Sequence, residues 1–456
     1  MYEQKKQQEL EMAKNIKDQF PDMIALPESG EFFVKNNGVY KKISDNSIED
    51  WITMEFIDNN VHYTPSKGNT VRKLLKGLCH KSKTELENYD QFITLENGVY
   101  FFNKTIKQLK VNNDTKESWT VDTHFNYFPV YDIYSFTKIP VHYDPNATCP
   151  LIDKFIEEVF GKDKVEDVYN FIGYLLLPHI KYQRAMILLG SGSNGKSTFL
   201  DLLIEFLGVD NTVQVPLQEL NNEFSIINLR HKMANIVADL SAREIRETGY
   251  AKRVVTDEYL SGSIKYIQGK FNFKNQCKML YSCNVLPPTK DKSDAFFRRW
   301  CLFICSATFK GDNIDFNIKE KLTSKEELSG LFNRAIEGIE RLKANNGFPD
   351  TTKEVASIWK LESNPVSDFI IEETFKKKGA LIKSTELYSA INKYNTERGR
   401  EALDGRQLGY WIRQLGYYGS QRRDLEAIEG ENAKWYTYYE GLALNSKKEK
   451  DQRRLM

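Results

Sequence analysis

No apolar run approaches the roughly 20 residues that a membrane-spanning helix requires, so a helical span is excluded. The opening heptapeptide, Met1-Tyr2-Glu3-Gln4-Lys5-Lys6-Gln7, lacks the apolar centre of a secretion signal and reads as a solvated helix. The expected compartment is the cytoplasm, with no membrane partner. Six cysteines in 456 residues are too few for a disulfide scaffold. Cys277, Cys283, Cys301 and Cys305 lack the close Cys-x-x-Cys pairs or neighbouring histidine of a zinc site, and Cys79-His80 is an isolated pair. Cys277, Cys283, Cys301 and Cys305 lie among apolar and aromatic residues, where a free thiol behaves as a small hydrophobe. A net charge of +1 excludes a global field that would announce nucleic acid. Charge is local instead: Lys265, Lys270, Lys274 and Lys278 follow Gly262 with no carboxylate among them, and a basic tail, read as solvated, ends the chain.

What is present is most informative at Met186-Ile187-Leu188-Leu189, a short apolar strand running into Gly190-Ser191-Gly192-Ser193-Asn194-Gly195-Lys196-Ser197-Thr198. This is G-x-x-x-x-G-K-[ST] with an amphipathic helix behind it, and both flanks separate a phosphate-binding loop from a glycine-rich turn. Gly190, Gly192 and Gly195 permit the backbone to direct successive N–H groups at an anion, and the helix N-terminus adds partial positive charge. The pattern predicts ATP as ligand, with Lys196 on the β/γ-phosphates and Ser197 on Mg²⁺.

A phosphate loop needs an acidic partner to complete Mg²⁺ coordination. Asp239, ending the apolar run Met233 to Ala238, is the candidate; a helix-capping Asp is the alternative. Cys277 to Cys283 predicts a strand tipped by Asn284, an amide suited to orienting water or sensing the γ-phosphate, although a turn Asn looks the same. Arg298 and Arg299 are adjacent in an aromatic setting. One of the two is read as completing a neighbouring subunit's site, an intramolecular salt bridge being the rival role. Ser263 to Lys274 reads as a β-hairpin turning near Gln268-Gly269. Its lysines, with Tyr266 and Phe271, suit a single-strand backbone, and a hairpin kept soluble by lysines is the alternative.

Length allows about two to four domains. Residues 1–145 are expected to form an N-terminal α+β domain. It opens with a polar helix to about residue 28. Short β-type runs follow, with hairpins at the two Asn-Gly-Val-Tyr sequences (37–40 and 97–100) and a helical stretch at Thr70 to Lys81. Residues 146–180 read as a helical linker, 181–310 as the nucleotide-binding core, 311–365 as a helical segment and 446–456 as the basic tail. Residues 366–445 show two helices and a hairpin, the order of a winged helix. Arg406, Gln407, Tyr410 and Arg413 share a face of its second helix, and Arg422 and Arg423 lie in the wing. DNA contact is expected there, with a protein-binding module as the alternative.

The order of these motifs resembles superfamily 3 helicases of the poxvirus/phage-type primase–helicase branch. The likeness rests on Gly190 to Thr198, Ala234 to Asp239, Cys277 to Pro287 and Phe296 to Trp300. Weaker likeness is found at Asn97 to Tyr100, Ile172 to Leu175 and Gly330 to Ala335. In size and layout the chain is similar to replication initiators of staphylococcal pathogenicity islands. The resemblance implies an α/β fold with an AAA+ P-loop core, assembled as a homo-hexamer around DNA and moving 3′-to-5′ on a single strand. It implies Lys196, Ser197 and Asp239 acting in cis, Asn284 as sensor 1 and Arg299 as a finger in trans. Lys265 or Lys270, with Lys274 beside them, would grip DNA in the channel, and host replication proteins would be partners. Two departures stand out. Ala238 replaces the second acid or hydroxyl of some relatives, which leaves the water-activating base open. No primase domain or zinc cluster is recognisable, so a helicase without primer synthesis is expected. The rival reading is a nucleotide-switched DNA-binding protein or a helicase loader that does not unwind.

Overall fold

The computed structural model describes every residue except 1, 27–29, 37–38, 82–91, 103–104, 109–116, 121–123, 128–134, 242–244, 246, 266–268, 310–314, 365, 398–401, 424–434 and 445–456. It is a mixed α/β structure with a parallel sheet and many helices. Two compact units emerge: 1–241 with 247–284 and 295–352, and 242–246 with 285–294 and 353–456. Among the described residues, no helix is long and apolar enough to cross a membrane.

The first unit opens with α1 (Tyr2–Gln19), then the antiparallel sheet β1 (Ile24–Ala25), β2 (Phe32–Asn36) and β3 (Val39–Lys42). Two helices follow, α2 (Asp45–Asp58) and α3 (Pro65–Leu78). The residue pattern predicts β-type runs over much of this span and a helix only from Thr70. Local caps explain the difference: Ser44 accepts from Ser47 N, and Thr64 accepts from Lys67 N ahead of Pro65 in the first turn. Met12, Ile16, Phe32, Ile52, Phe56, Val71 and Leu75 close the core between helices and sheet.

Beyond it, β4 (Phe92–Thr94) and β5 (Gly98–Phe101) form the expected hairpin, with Leu95 N donating to Gly98 O at 2.8 Å. The turn between β2 and β3, at Asn37-Gly38, lies outside the described residues, although the two strands do pair antiparallel. A ribbon of β6 (Thr105–Gln108) and β7 (Glu117–Thr120) precedes β8 (Phe125–Tyr127), which pairs with β5.

The helical stretch from Leu151 to Pro178 is two helices, α4 (Pro150–Phe160) and α5 (Val165–Leu176), because Gly161 at φ 85° breaks the run. The central sheet then assembles β9 (Ala185–Leu189), β10 (Thr212–Val213), β11 (Ala234–Val237), β14 (Lys278–Cys283) and β15 (Trp300–Ile304) in the order β10-β11-β14-β9-β15, all parallel. Near-continuous burial of β9 and β14 is what a parallel sheet covered on both faces demands. Helix α6 (Lys196–Leu207) follows β9, and β12 (Tyr259–Gly262) pairs antiparallel with β13 (Phe271–Lys274).

Helix α7 (Lys325–Ala344) crosses α5 at glycine contacts. A Cβ on Gly173 would lie 2.4 Å from Ala335 O, and one on Gly338 would lie 2.3 Å from Tyr169 O. Glu327 of α7 caps α4, accepting from Leu151 N at 3.2 Å and Ile152 N at 3.0 Å.

The second unit contains α8 (Thr352–Glu362), α9 (Ser367–Glu373), β16 (Thr374–Lys383), α10 (Ser384–Glu397), α11 (Gly405–Gln414), β17 (Gly419–Arg423) and β18 (Trp435–Leu444). Its antiparallel sheet has the order β16-β18-β17. Leu387 and Ile391 of α10 meet Leu408 and Ile412 of α11 over Tyr439 and Leu442. Trp359 Nε1 donates to Pro287 O at 2.9 Å, tying the Leu286-Pro287-Pro288 turn to α8.

Candidate nucleotide site and nucleic-acid surfaces

Strand β9 is wholly buried, so it fixes the following loop at the carboxyl edge of the sheet, where open α/β sheets bind ligands. Gly190 N donates to Cys283 O at 3.2 Å, joining the loop to β14. A Cβ at position 190 would lie 2.8 Å from Cys305 O, so only glycine fits. Gly192, Ser193 and Gly195 have φ of 109°, 52° and 80°. Left-handed residues interleaved in this way build backbone concavities that hold anions. Asn194 braces the loop, accepting from Gly192 N at 2.6 Å and donating to Ala307 O. Phe309 N donates to Ser193 O at 2.9 Å. The bracing by Asn194 and by residues 305–309 was missed in the sequence, since only folding brings the segment after β15 to the loop.

Lys196 opens α6 and is 8% exposed. Its Nζ donates to Gly190 O at 2.6 Å and lies 3.4 Å from Asn194 Oδ1. Both are neutral acceptors, and a buried ammonium is stabilised far better by an opposite charge. Ser197 is exposed and Thr198 half-buried on the same turn. The glycine-shaped concavity, the helix N-terminus and this cation form a donor set that fits a polyphosphate.

β14 lies between β9 and the strand leading to Asp239. Ser282 Oγ donates to Ala238 O and Leu240 N donates to Ser282 O at 2.7 Å, which holds the Asp239 segment against β14. Asp239 and Asn284 are both exposed just past the carboxyl ends of their strands. One sheet edge thus brings together Lys196, Asp239 and Asn284.

Arg299 is bonded within its own chain. It is 9% exposed, and its guanidinium donates to Lys252 O at 3.2 Å and to Ala295 O within its own chain. Arg298, which precedes it, is exposed. The alternation of burial along the turn after the helix Asp294–Phe297 separates the two arginines.

A hairpin is present, but its first strand lies upstream of the expected start at Ser263: β12 (Tyr259–Gly262) pairs with β13, residues 263–270 connect them, and Tyr266 to Gln268 lie outside the described residues. Lys265 is exposed. Lys270 pairs with Glu223 at 3.0 Å and Lys274 with Asp257 at 3.0 Å. Lys270 first, and then Ser263, hold the Glu223 carboxyl below its ordinary pKa. Lys278 belongs to the core instead: it is buried in β14, donating to Leu177 O.

In the second unit Arg406, Tyr410 and Arg413 are exposed along α11, while Leu408 and Ile412 face the core. Gln407 is committed elsewhere: it closes a capping box in which Asp404 accepts from Arg406 N and Gln407 N, each at 2.8 Å, and Gln407 Oε1 accepts from Asp404 N at 2.9 Å. On β17, Arg422 pairs with Glu440 at 2.9 Å and Arg423 is exposed. The tail from residue 446 lies outside the described residues.

Residues 188–299 match a family described as of unknown function, DUF5906. No curated protein matches the chain. Among solved structures, it is similar to the A form apo structure of the NrS-1 C-terminal region, at 12% identity and TM-score 0.48, covering 94% of this chain and 98% of that one. A second apo structure of that region (305–718) is similar at 13% identity and TM-score 0.46, covering 95% and 99%.

Proposed function

We propose that this chain is an ATP-hydrolysing motor that translocates on single-stranded DNA: a superfamily 3-type helicase and replication initiator of a phage or mobile element. The observation that carries the proposal is the convergence of Lys196, Asp239 and Asn284 at one edge of the parallel sheet. Lys196 and the backbone of 190–195 would hold the phosphates of ATP, and Ser197 with Asp239 would hold Mg²⁺. Bound Mg-ATP supplies the anhydride to be cleaved. Asn284 orients the attacking water, and Asp239 keeps negative charge at the metal side of the site. For completion of the site by an arginine from the next subunit of a homo-hexamer, the exposed Arg298 is proposed in preference to Arg299, whose guanidinium is bonded to two carbonyls of its own chain.

The AAA+ reading of the core and the 3′-to-5′ polarity follow from the resemblance of the motif order. The hairpin β12–β13 would grip the strand in the channel, with Lys265 presented most openly. The second unit is proposed as a winged helix that contacts duplex DNA through Arg406, Arg413 and Arg423; host replication proteins would be further partners of the chain. One observation favours the loader or nucleotide-switch alternative, namely that Lys270 and Lys274 are each engaged by a carboxylate.

ATP turnover with and without single-stranded DNA decides between them. A motor shows turnover that DNA accelerates and that Lys196→Ala abolishes. A switch or loader shows nucleotide-dependent DNA binding with turnover that DNA leaves unchanged.

A further inference from the structure

Within the first unit, the N-terminal sheet and the core enclose a groove of about 1280 Å³ that the nucleotide site does not use. Its walls come from β2 and β3 on one side and from residues 210–232 on the other. Its end is Ser263-Ile264-Lys265, where the hairpin loop begins. Six Lys or Arg side chains line it against three carboxylates. Two of those carboxylates are already shared or engaged: Glu31 with Arg230 and Lys42, both at 2.8 Å, and Asp210 with Lys41 at 3.2 Å. Lys138, Lys232 and Lys265 add positive charge beyond these pairs.

The groove also offers flat apolar surface. His231 stacks on Phe136 with ring centroids 5.3 Å apart, and Phe224, also lining the groove, is 42% exposed. Phe224 belongs to the short helix Glu223–Ile226, which is bonded to the hairpin: Ser263 N donates to Glu223 O at 3.0 Å, and Lys270 pairs with Glu223. The groove is therefore continuous with the hairpin proposed to hold a strand.

We infer that this groove binds single-stranded nucleic acid and guides it to or from the β12–β13 hairpin. The inference rests on the proposed DNA-translocating function. Cations track a phosphate backbone, and aromatic faces stack on bases without sequence preference. An excess of cations with interleaved aromatics suits a polyanion that carries rings better than it suits a purely acidic peptide.

The test measures anisotropy of a labelled thymidine oligonucleotide, without nucleotide, for the full chain and for the double variant Lys138→Glu, Lys232→Glu. Affinity is expected to fall about tenfold or more, and the slope of log K against log salt to flatten by about 1.4, for two lost phosphate contacts. Unchanged affinity and slope would overturn the groove assignment while leaving the motor reading intact. An unmodified protein that binds no oligonucleotide would overturn both. Photo-crosslinking of a bromodeoxyuridine oligonucleotide to the unmodified protein supports the inference if Phe224 or His231 is labelled. Label confined to other surfaces overturns it. Competition by polyglutamate as strong as by the oligonucleotide would reassign the groove to an acidic protein segment.

Discussion

Arg299 Nε donates to the carbonyl of Lys252 at 3.2 Å, so this arginine, in the turn just before β15, is tied to the helix Thr248–Val254 of its own chain. The neighbouring Arg298 is exposed. On the proposed function, Arg299 does structural work and Arg298 the intersubunit work. Arg298→Ala is expected to lower ATP turnover by about 10³-fold, the low end for a lost arginine finger, with an unchanged unfolding midpoint. Such subunits should regain turnover when mixed with Lys196→Ala subunits, which keep the arginine. Arg299→Ala instead removes the donor from two carbonyls and should cost about 1–3 kcal/mol of stability. Turnover assays paired with urea unfolding check both; the reverse pattern would return the intersubunit role to Arg299.

The crossing of α5 and α7 tolerates no side chain at its closest point, because a Cβ on Gly173 would sit 2.4 Å from Ala335 O. Backbone cannot yield as a flexible side chain does. Gly173→Ala is expected to destabilise the first unit by about 1–3 kcal/mol, the usual cost of overpacking. Urea unfolding measures this, and a change within about 0.5 kcal/mol would show that the helices separate freely.

Helix α11 starts on a reciprocal cap between Asp404 and Gln407. Asp404→Ala should destabilise the second unit by about 1 kcal/mol. If α11 presents Arg406 and Arg413 to duplex DNA, the same change weakens duplex binding while ATP turnover stays as in the unmodified protein. Duplex affinity that is indifferent both to Asp404→Ala and to Arg406→Ala would assign this unit to protein contacts.

Burial pushes the thiols of Cys149 and Cys305 up to about 12, from an ordinary value of 9.0. For Cys149, nearby Asp153 adds to the effect of burial. The folded state therefore holds these protons more tightly than the unfolded chain. Their stabilising contribution is complete below about pH 9 and is lost as pH rises toward 12, because only the unfolded thiols ionise in that window. Denaturant midpoints should fall above pH 9, and neither thiol should be alkylated in the native state at pH 8. Rapid native alkylation of Cys305 would contradict its burial.

The strand–glycine-loop–helix unit at 185–207 was legible because every element it needs is local: a buried strand, three glycines and a helix start. Asp239 and Asn284 were legible as strand tips for the same reason. Helices α2 and α3 are obscured by their setting among β-type runs, because caps such as Ser44 and Thr64 look like ordinary loop residues until the chain folds. Strand β16 was hidden by Lys376, Lys377 and Lys378, which break its apolar run. The engagement of Lys270 by Glu223 and of Gln407 by Asp404 depends on geometry that spacing alone leaves open. The basic groove was invisible because its two walls come from distant parts of the chain that meet only on folding.

Strand displacement on a forked duplex with ATP and Mg²⁺, run beside Lys196→Ala, tests the central claim most directly. The account predicts unwinding by the unmodified protein and none by the variant, with both equally folded by thermal unfolding. Unwinding by Lys196→Ala would contradict the nucleotide site, and DNA-stimulated turnover that never displaces a strand would contradict the self-sufficient motor.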